Sequence, residues 1–182
     1  MAALSAIIRP SLALPVLAMV VVVAGANVAV QYPINDWLTW GALTYPFAFL
    51  ITDLTNRRSG PTAARKVVYC GFLLAVALSA YFATVRIALA SGSAFLVAQL
   101  TDVFIFNRLR ALGWWKPPFV SSSIASALDT VLFFGIAFAG TGLPWHTWAV
   151  GDYGVKLSMA ALMLVPYFVV TKLSVWIPAG GR

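Results

Sequence analysis

Glutamate is missing from this sequence altogether, and aspartate occurs only five times in 182 residues. Charged side chains make up 9% of the chain, against about a quarter in an ordinary soluble domain, while 62% of residues are apolar. So little charge cannot cover a water-facing surface, which excludes both a soluble enzyme and a disordered chain. A single cysteine, Cys70, rules out an internal disulfide. It stands far from the single histidine, His146, and the two make no zinc site. The chain has no glycine-rich phosphate loop of the Walker type and does not itself hydrolyse ATP. Intramembrane serine proteolysis would need a histidine inside an apolar run, and none is there. No metal, cofactor or catalytic residue is expected.

What the chain does have is apolar length. Mean hydropathy is +0.91. Six runs are long enough to cross about 30 Å of hydrocarbon: 11–30, 38–54, 64–83, 85–106, 118–140 and 149–176. The expected fold is an all-α integral membrane protein, one transmembrane domain over residues 1–182 with six helices. QYPIND, TNRRSGP, NRLRALGWWKP and TGLPWH carry the Pro, Gly and charge of turns. Residues 64–106 contain no proline, so a tight hairpin is expected between Tyr81 and Gly92.

With six alternating helices, ten of the twelve bases fall on one side. They are Arg9, Arg57, Arg58, Arg65, Lys66, Arg108, Arg110, Lys116, Lys172 and Arg182; Arg86 and Lys156 are left for the other. This is the positive-inside pattern, and it places both termini in the cytoplasm. The same loops account for a pI near 10, which in a soluble protein would suggest nucleic acid. The partner is instead the bilayer, with Tyr32, Trp37, Trp114, Trp115, Trp145, Trp148 and Trp176 as interfacial anchors. One alternative stays open: Arg9, the 12–23 run and Ala24-Gly25-Ala26 also imitate a cleavable signal peptide.

Ionisable groups at membrane depth are costly and therefore candidate functional groups. At 100° per residue, Ser91, Phe95, Ala98, Gln99 and Asp102 share one face. Ser122, Ser126, Asp129 and Phe133 form a second stripe, and Asp152 and Lys156 stand at i and i+4. Asp53 ends an aromatic-rich segment, and Asn27 lies near the outer end of the first run. Structural roles compete with functional ones. Asp53, beside Arg57 and Arg58, also suits a helix end among headgroups; Asp152–Lys156 also suits a neutralised packing pair; Ser122 and Ser126 also suit close helix approach. No cation lies within a turn of Asp102 or Asp129, so each must meet a partner elsewhere. Aspartyl proteolysis is the sharpest enzymatic alternative, yet its G-x-G-D motif is only half present, as Ala149-Val150-Gly151-Asp152.

Four segments carry a family resemblance: residues 39–69 with TDLTNRR, 86–118 with QLTDVFIFNRLR, 121–138 with LDT…FF, and 150–170. They resemble the queuosine precursor transporters, also called the putative vitamin uptake transporter family, from Asn27 onward. The resemblance implies a six-helix carrier of 7-cyano- or 7-aminomethyl-7-deazaguanine in the bacterial inner membrane. It is likened to the substrate-binding subunits of energy-coupling-factor transporters but needs no ATPase partner; a homodimer is left open, and no nucleic acid is contacted directly. Family motif positions map onto Asn27, Asp53, Gln99, Asp102, Asn107, Arg108, Trp114, Trp115, Asp129, Asp152 and Lys156. A guanine edge offers two parallel N–H donors that match one carboxylate, and acceptors that need donors. Asp102 or Asp129 is therefore expected to clamp it, with Gln99, Asn27 and Ser122 completing the site. Lys156, held by Asp152, would donate to O6, and a second carboxylate would meet an ammonium. Trp40, Tyr45, Phe47, Phe95 and Phe133 are the candidate ring faces, with packing an equal reading for the last two. The segment around Thr84–Arg86 is shorter than in longer members, and Arg86 either faces an outer vestibule or snorkels to headgroups. A binding subunit of a coupling complex and an aspartate-based membrane enzyme centred on Asp102 and Asp129 remain the alternatives.

Overall fold

The computed structural model describes residues 10–29, 32–35, 38–82 and 84–173. Expectations resting on Arg9, Asp36, Trp37, Trp176 and Arg182 lie outside the described residues, as does the side chain of Asn27.

The first described element is α1 (Pro10–Ala29), followed by a two-stranded antiparallel ribbon, β1 (Pro33–Asn35) with β2 (Leu38–Thr39). Then come a five-residue helix α2 (Trp40–Thr44), α3 (Pro46–Ser59), α4 (Pro61–Phe82), α5 (Val85–Leu109), α6 (Lys116–Phe138) and α7 (Trp145–Leu173). Among the described residues, four helices are long and apolar enough to cross a membrane: α4, α5, α6 and α7. At 1.5 Å per residue, the 25 residues of α5 reach about 37 Å.

The largest departure from the sequence expectation is the run 38–54. It is not one helix: it begins in β2, forms α2, breaks at Pro46 and continues as α3 past the basic residues to Ser59. Pro46 supplies no N–H, so the ladder is interrupted there. Ala48 N–H still reaches Tyr45 O at 2.9 Å across the break.

Local chemistry sets the other boundaries. Gly60 alone separates α3 from α4: its φ of 83° lies in the left-handed region, its N–H closes onto Asn56 O, and Pro61 opens the next helix. The hairpin expected between Tyr81 and Gly92 turns before Thr84, whose hydroxyl caps α5 by accepting from Ile87 N–H. Lys116-Pro117-Pro118 begins α6, where missing donors cost nothing.

The apolar core lies among α1, α4 and α5, where Met19, Val23, Val67, Val68, Phe95 and Val103 are buried together. Gly71 permits this contact. A Cβ there would stand 2.7 Å from Met19 Cγ and 3.2 Å from Phe95 Cζ. Without a hydrophobic drive between helices in lipid, such close approach is what holds them.

Candidate functional site

Tyr45, the residue just before α3, and Phe49, Thr52 with Asp53, and Asn56 on α3 follow one another at the spacing of a helical stripe. Each polar member meets a partner on another helix, giving three polar layers.

In the first, Tyr45 Oη donates to Asp129 Oδ1 at 3.3 Å. Lys156 on α7 donates to Asp129 Oδ2 at 2.7 Å, to Asp152 Oδ2 at 2.5 Å and to Thr130 Oγ1 at 3.2 Å. An ammonium has three N–H groups, and all three are engaged. Thr130 in turn donates to Asp152 at 2.7 Å. The expected i,i+4 pair is present, and it reaches across to α6 as well.

The second layer has two carboxylates and no cation. Ser122 Oγ on α6 lies 3.3 Å from Asp53 Oδ2 on α3 and 3.4 Å from Asp102 Oδ1 on α5. Asp53 is 3% exposed and Asp102 fully buried. One turn away, Thr52 Oγ1 donates to Gln99 Oε1 at 2.7 Å. Asp53 Oδ1, Asp102 Oδ2 and Gln99 Nε2 are buried without a partner.

The third layer lies at the end of α3 next to Gly60. Asn56 Nδ2 donates to Val103 O, and Arg110 donates to Asn56 Oδ1 at 2.8 Å and to Asn56 O. Arg57 and Arg110 each donate to the other's backbone carbonyl.

Between α3, α6 and α7 lies a cleft lined by Phe49, Asp53, Ser122, Ser126, Lys156 and Tyr167, among others. Its free volume is about 10 Å³, room for about one water. The cleft therefore unites Asp53, Ser122 and Lys156 from the sequence-derived set. Asp102 and Gln99 sit behind it on α5, and Asp129 and Asp152 reach it through Lys156. Asp102 and Asp129 belong to different layers, so the pair once considered as an enzymatic centre is not a pair.

The aromatic candidates scatter. Tyr45 borders the first layer as a hydrogen-bond donor, with Lys156 Nζ 5.8 Å from its ring centre. Phe95 packs edge-on to Tyr45 in the core. Phe133 belongs to a group with Phe134 and Phe138. Trp40 and Phe47 are exposed on the outside of the bundle. Trp114 packs on Phe168, Arg108 lies over Phe104, and Asn107 is exposed, all away from the cleft.

Sequence reasoning missed Thr52, Phe49, Asn56 and Arg110. The 45/49/52/56 spacing was the available signal, obscured by taking 38–54 as one apolar span. Arg86 is exposed at the start of α5. It donates to Ile136 O at 2.8 Å and Ala139 O at 2.6 Å, serving carbonyls that the end of α6 leaves unpaired.

Among known proteins, the family described as putative vitamin uptake transporter matches residues 39–85 and 77–171. A Haemophilus influenzae protein named a probable queuosine precursor transporter is 34% identical over 188 residues, covering 81% of this chain and 80% of that protein. The queuosine precursor transporter of Escherichia coli is 31% identical over 176 residues, with the same coverage of both chains. A Bacillus subtilis protein named a probable queuosine precursor transporter is 27% identical over 160 residues, covering 71% and 69%. No solved structure matches the chain.

Proposed function

Because this chain belongs to the putative vitamin uptake transporter family, we propose that it imports queuosine precursors, 7-cyano- and 7-aminomethyl-7-deazaguanine, across the bacterial inner membrane to supply tRNA modification. The matched relatives are named transporters, and the chain is not an enzyme. Its apolar helices make it a multi-pass membrane protein. In this reading α1 and the α2–α3 pair complete a six-span bundle with both termini cytoplasmic, resembling energy-coupling-factor binding subunits yet working without an ATPase.

The observation that carries the substrate assignment is Asp53, a buried carboxylate with an unpartnered oxygen on the wall of the cleft. The N1–H and exocyclic amine of a guanine edge are two parallel donors that a carboxylate accepts together. We assign the clamp to Asp53 rather than Asp102, because Asp53 lines the cleft and Asp102 does not. O6, next to N1 on that edge, meets Lys156, which exchanges its longest bond, the 3.2 Å one to Thr130, for it. Ser122 and Ser126 serve the remaining polar atoms, and Phe49 and Tyr167 face the ring.

The test is uptake of labelled 7-cyano-7-deazaguanine by proteoliposomes holding only this protein. Wild type should show saturable uptake, and Asp53→Asn should lower it by tenfold or more, since charge-assisted bonds are worth about 1.5–3 kcal/mol. Binding without uptake would overturn the solitary carrier in favour of a coupling-complex subunit.

A further inference from the structure

The second polar layer sets a charge problem that its neighbours do not solve. Asp53 and Asp102 face two neutral hydroxyls on α6, Ser122, which has one proton for two acceptors within reach, and the buried Ser121, which also serves Pro118 O at 3.4 Å. On α7, Lys156 is saturated by Asp129, Asp152 and Thr130. Arg57 and Arg110 direct their terminal nitrogens to backbone carbonyls and Asn56 at the Gly60 end of α3. Tyr167 on α7 lies within electrostatic reach of Asp53, Arg57 and Arg110 but carries no charge as a phenol. The faces of α1 and α4 packed toward α5 present Met19, Val23, Ala64, Val67 and Val68. No cation faces the two carboxyl groups among the described residues. Two ionised carboxylates side by side in a dry interior repel each other, and each also carries a desolvation cost of several kcal/mol. One proton between them removes most of both penalties.

The two oxygens of this layer that lack partners belong one to each residue, Asp53 Oδ1 and Asp102 Oδ2. Only Asp53 is on the cleft wall. A carboxylate that accepts two N–H groups from a base is ionised, so the proton then resides on the group behind it.

Resting on the reading of Asp53 as the clamp, we propose that Asp102 is a positioning residue that works as a carboxylic acid while the base is bound, that the Asp53–Asp102 pair holds one proton both before and after binding, and that the carrier therefore moves the base with no net proton. As an acid, Asp102 donates to Asp53 and aims it at the cleft. The proton is shared within the pair when the cleft is empty and localised on Asp102 when it is occupied. The count is one in each state. Import is then equilibrative, drawn inward by consumption of the base.

The experiment uses the full chain in proteoliposomes with labelled 7-cyano-7-deazaguanine, first with equal pH inside and out, then with an imposed gradient. At equal pH, wild-type uptake falls as the medium is made alkaline and the pair loses its proton. Asp102→Asn, whose amide replaces the acid as donor to Asp53, retains saturable uptake and loses this alkaline fall. Under an acid-outside gradient the wild type reaches the same internal level as without one. Accumulation of about tenfold per pH unit would overturn the proposal by showing one proton carried per base. Accumulation driven by a sodium gradient would overturn it as well. So would an Asp102→Asn protein that elutes as a monodisperse species yet is as inactive as Asp53→Asn. If that variant does not fold, the wild-type pH profile and gradient response decide alone. A wild type that neither binds nor moves the base would refute the proposed function and this proposal with it, whereas each other failure occurs in a protein that transports.

Discussion

Lys156→Met removes the ammonium on which two aspartates converge. The side chains of Lys156 and Asp129 are each 7% exposed and that of Asp152 is 19% exposed. Taking one partner from a buried ion pair costs about 3–5 kcal/mol, because the survivor remains buried without a counter-charge. Here the burden falls on Asp129, whose remaining donor among the described residues is the Tyr45 hydroxyl at 3.3 Å. Asp152 keeps Thr130 at 2.7 Å and more contact with solvent. For a chain of this size 1 kcal/mol corresponds to about 2–4 °C, so Lys156→Met should lower Tm by about 6–20 °C. Asp152→Asn leaves the Lys156–Asp129 contact in place and removes a like charge, so its cost should stay within about 1 kcal/mol, or about 4 °C. The double variant Asp129→Asn with Lys156→Met should recover much of the single-variant loss, since no charge facing Lys156 from α6 is then stranded. The assay is thermal unfolding of purified protein in detergent, followed by tryptophan fluorescence. A Lys156→Met shift of only a few degrees, or an equal shift from Asp152→Asn, would refute this account of the layer.

Gly71→Leu should abolish the α1–α4 approach, because Met19 Cγ already stands 2.7 Å from where a Cβ would lie; overpacking of this kind costs about 1–3 kcal/mol, read as lost folded yield and lower Tm. Arg86→Ala should loosen the end of α6 by unpairing the carbonyls of Ile136 and Ala139, with a Tm loss of about 2–4 °C and faster amide exchange confined to the last turn of α6. Tyr45→Phe should cost about 1 kcal/mol through the lost bond to Asp129, and much less in an Asp129→Asn background, a non-additivity that a double-mutant cycle measures.

Membrane character and the hairpin between α4 and α5 were readable from the length of the apolar runs, and the burial of Phe95, Ala98, Gln99 and Asp102 on one face of α5 from periodicity, since a helix places residues three and four apart on one side. Periodicity is silent on which stripe faces which. Asp53 illustrates the limit. With Arg57 one turn on, it reads as a neutralised helix end, yet Arg57 turns to Arg110 O and leaves Asp53 to face Asp102. That choice depends on the register of α3 against α5, a tertiary quantity. Arg86 was unreadable for the same reason: its partners are backbone carbonyls about 50 residues away, and carbonyls carry no sequence signal. A proline at position 46 is itself a break signal, since it supplies no N–H, but the continuation of α3 to Ser59 has no such signal, because TNRRS is polar and α3 is helical there without being apolar.

The positions of Asp129 and Asp152 around one lysine have different consequences for movement. A planar base does not enter a cleft with room for one water unless α7 parts from α3 and α6. The ties that cross this boundary are the ion pair of Lys156 with Asp129 and the neutral hydrogen bonds of Thr130 on α6 with Lys156 and with Asp152, whereas the charge pair of Asp152 with Lys156 lies within α7 itself, one turn apart. An isolated ammonium leaving Asp129 would carry an uncompensated charge through a low-dielectric interior, at a cost of several kcal/mol. Asp152 travels with Lys156 and keeps it neutralised throughout, while Asp129 retains the Tyr45 hydroxyl. The pair on α7 thus lowers the barrier to opening, and the contact to α6 sets the stability of the closed form. This division explains why one cation is given two acids: Asp129 should govern Tm, and Asp152 should govern turnover.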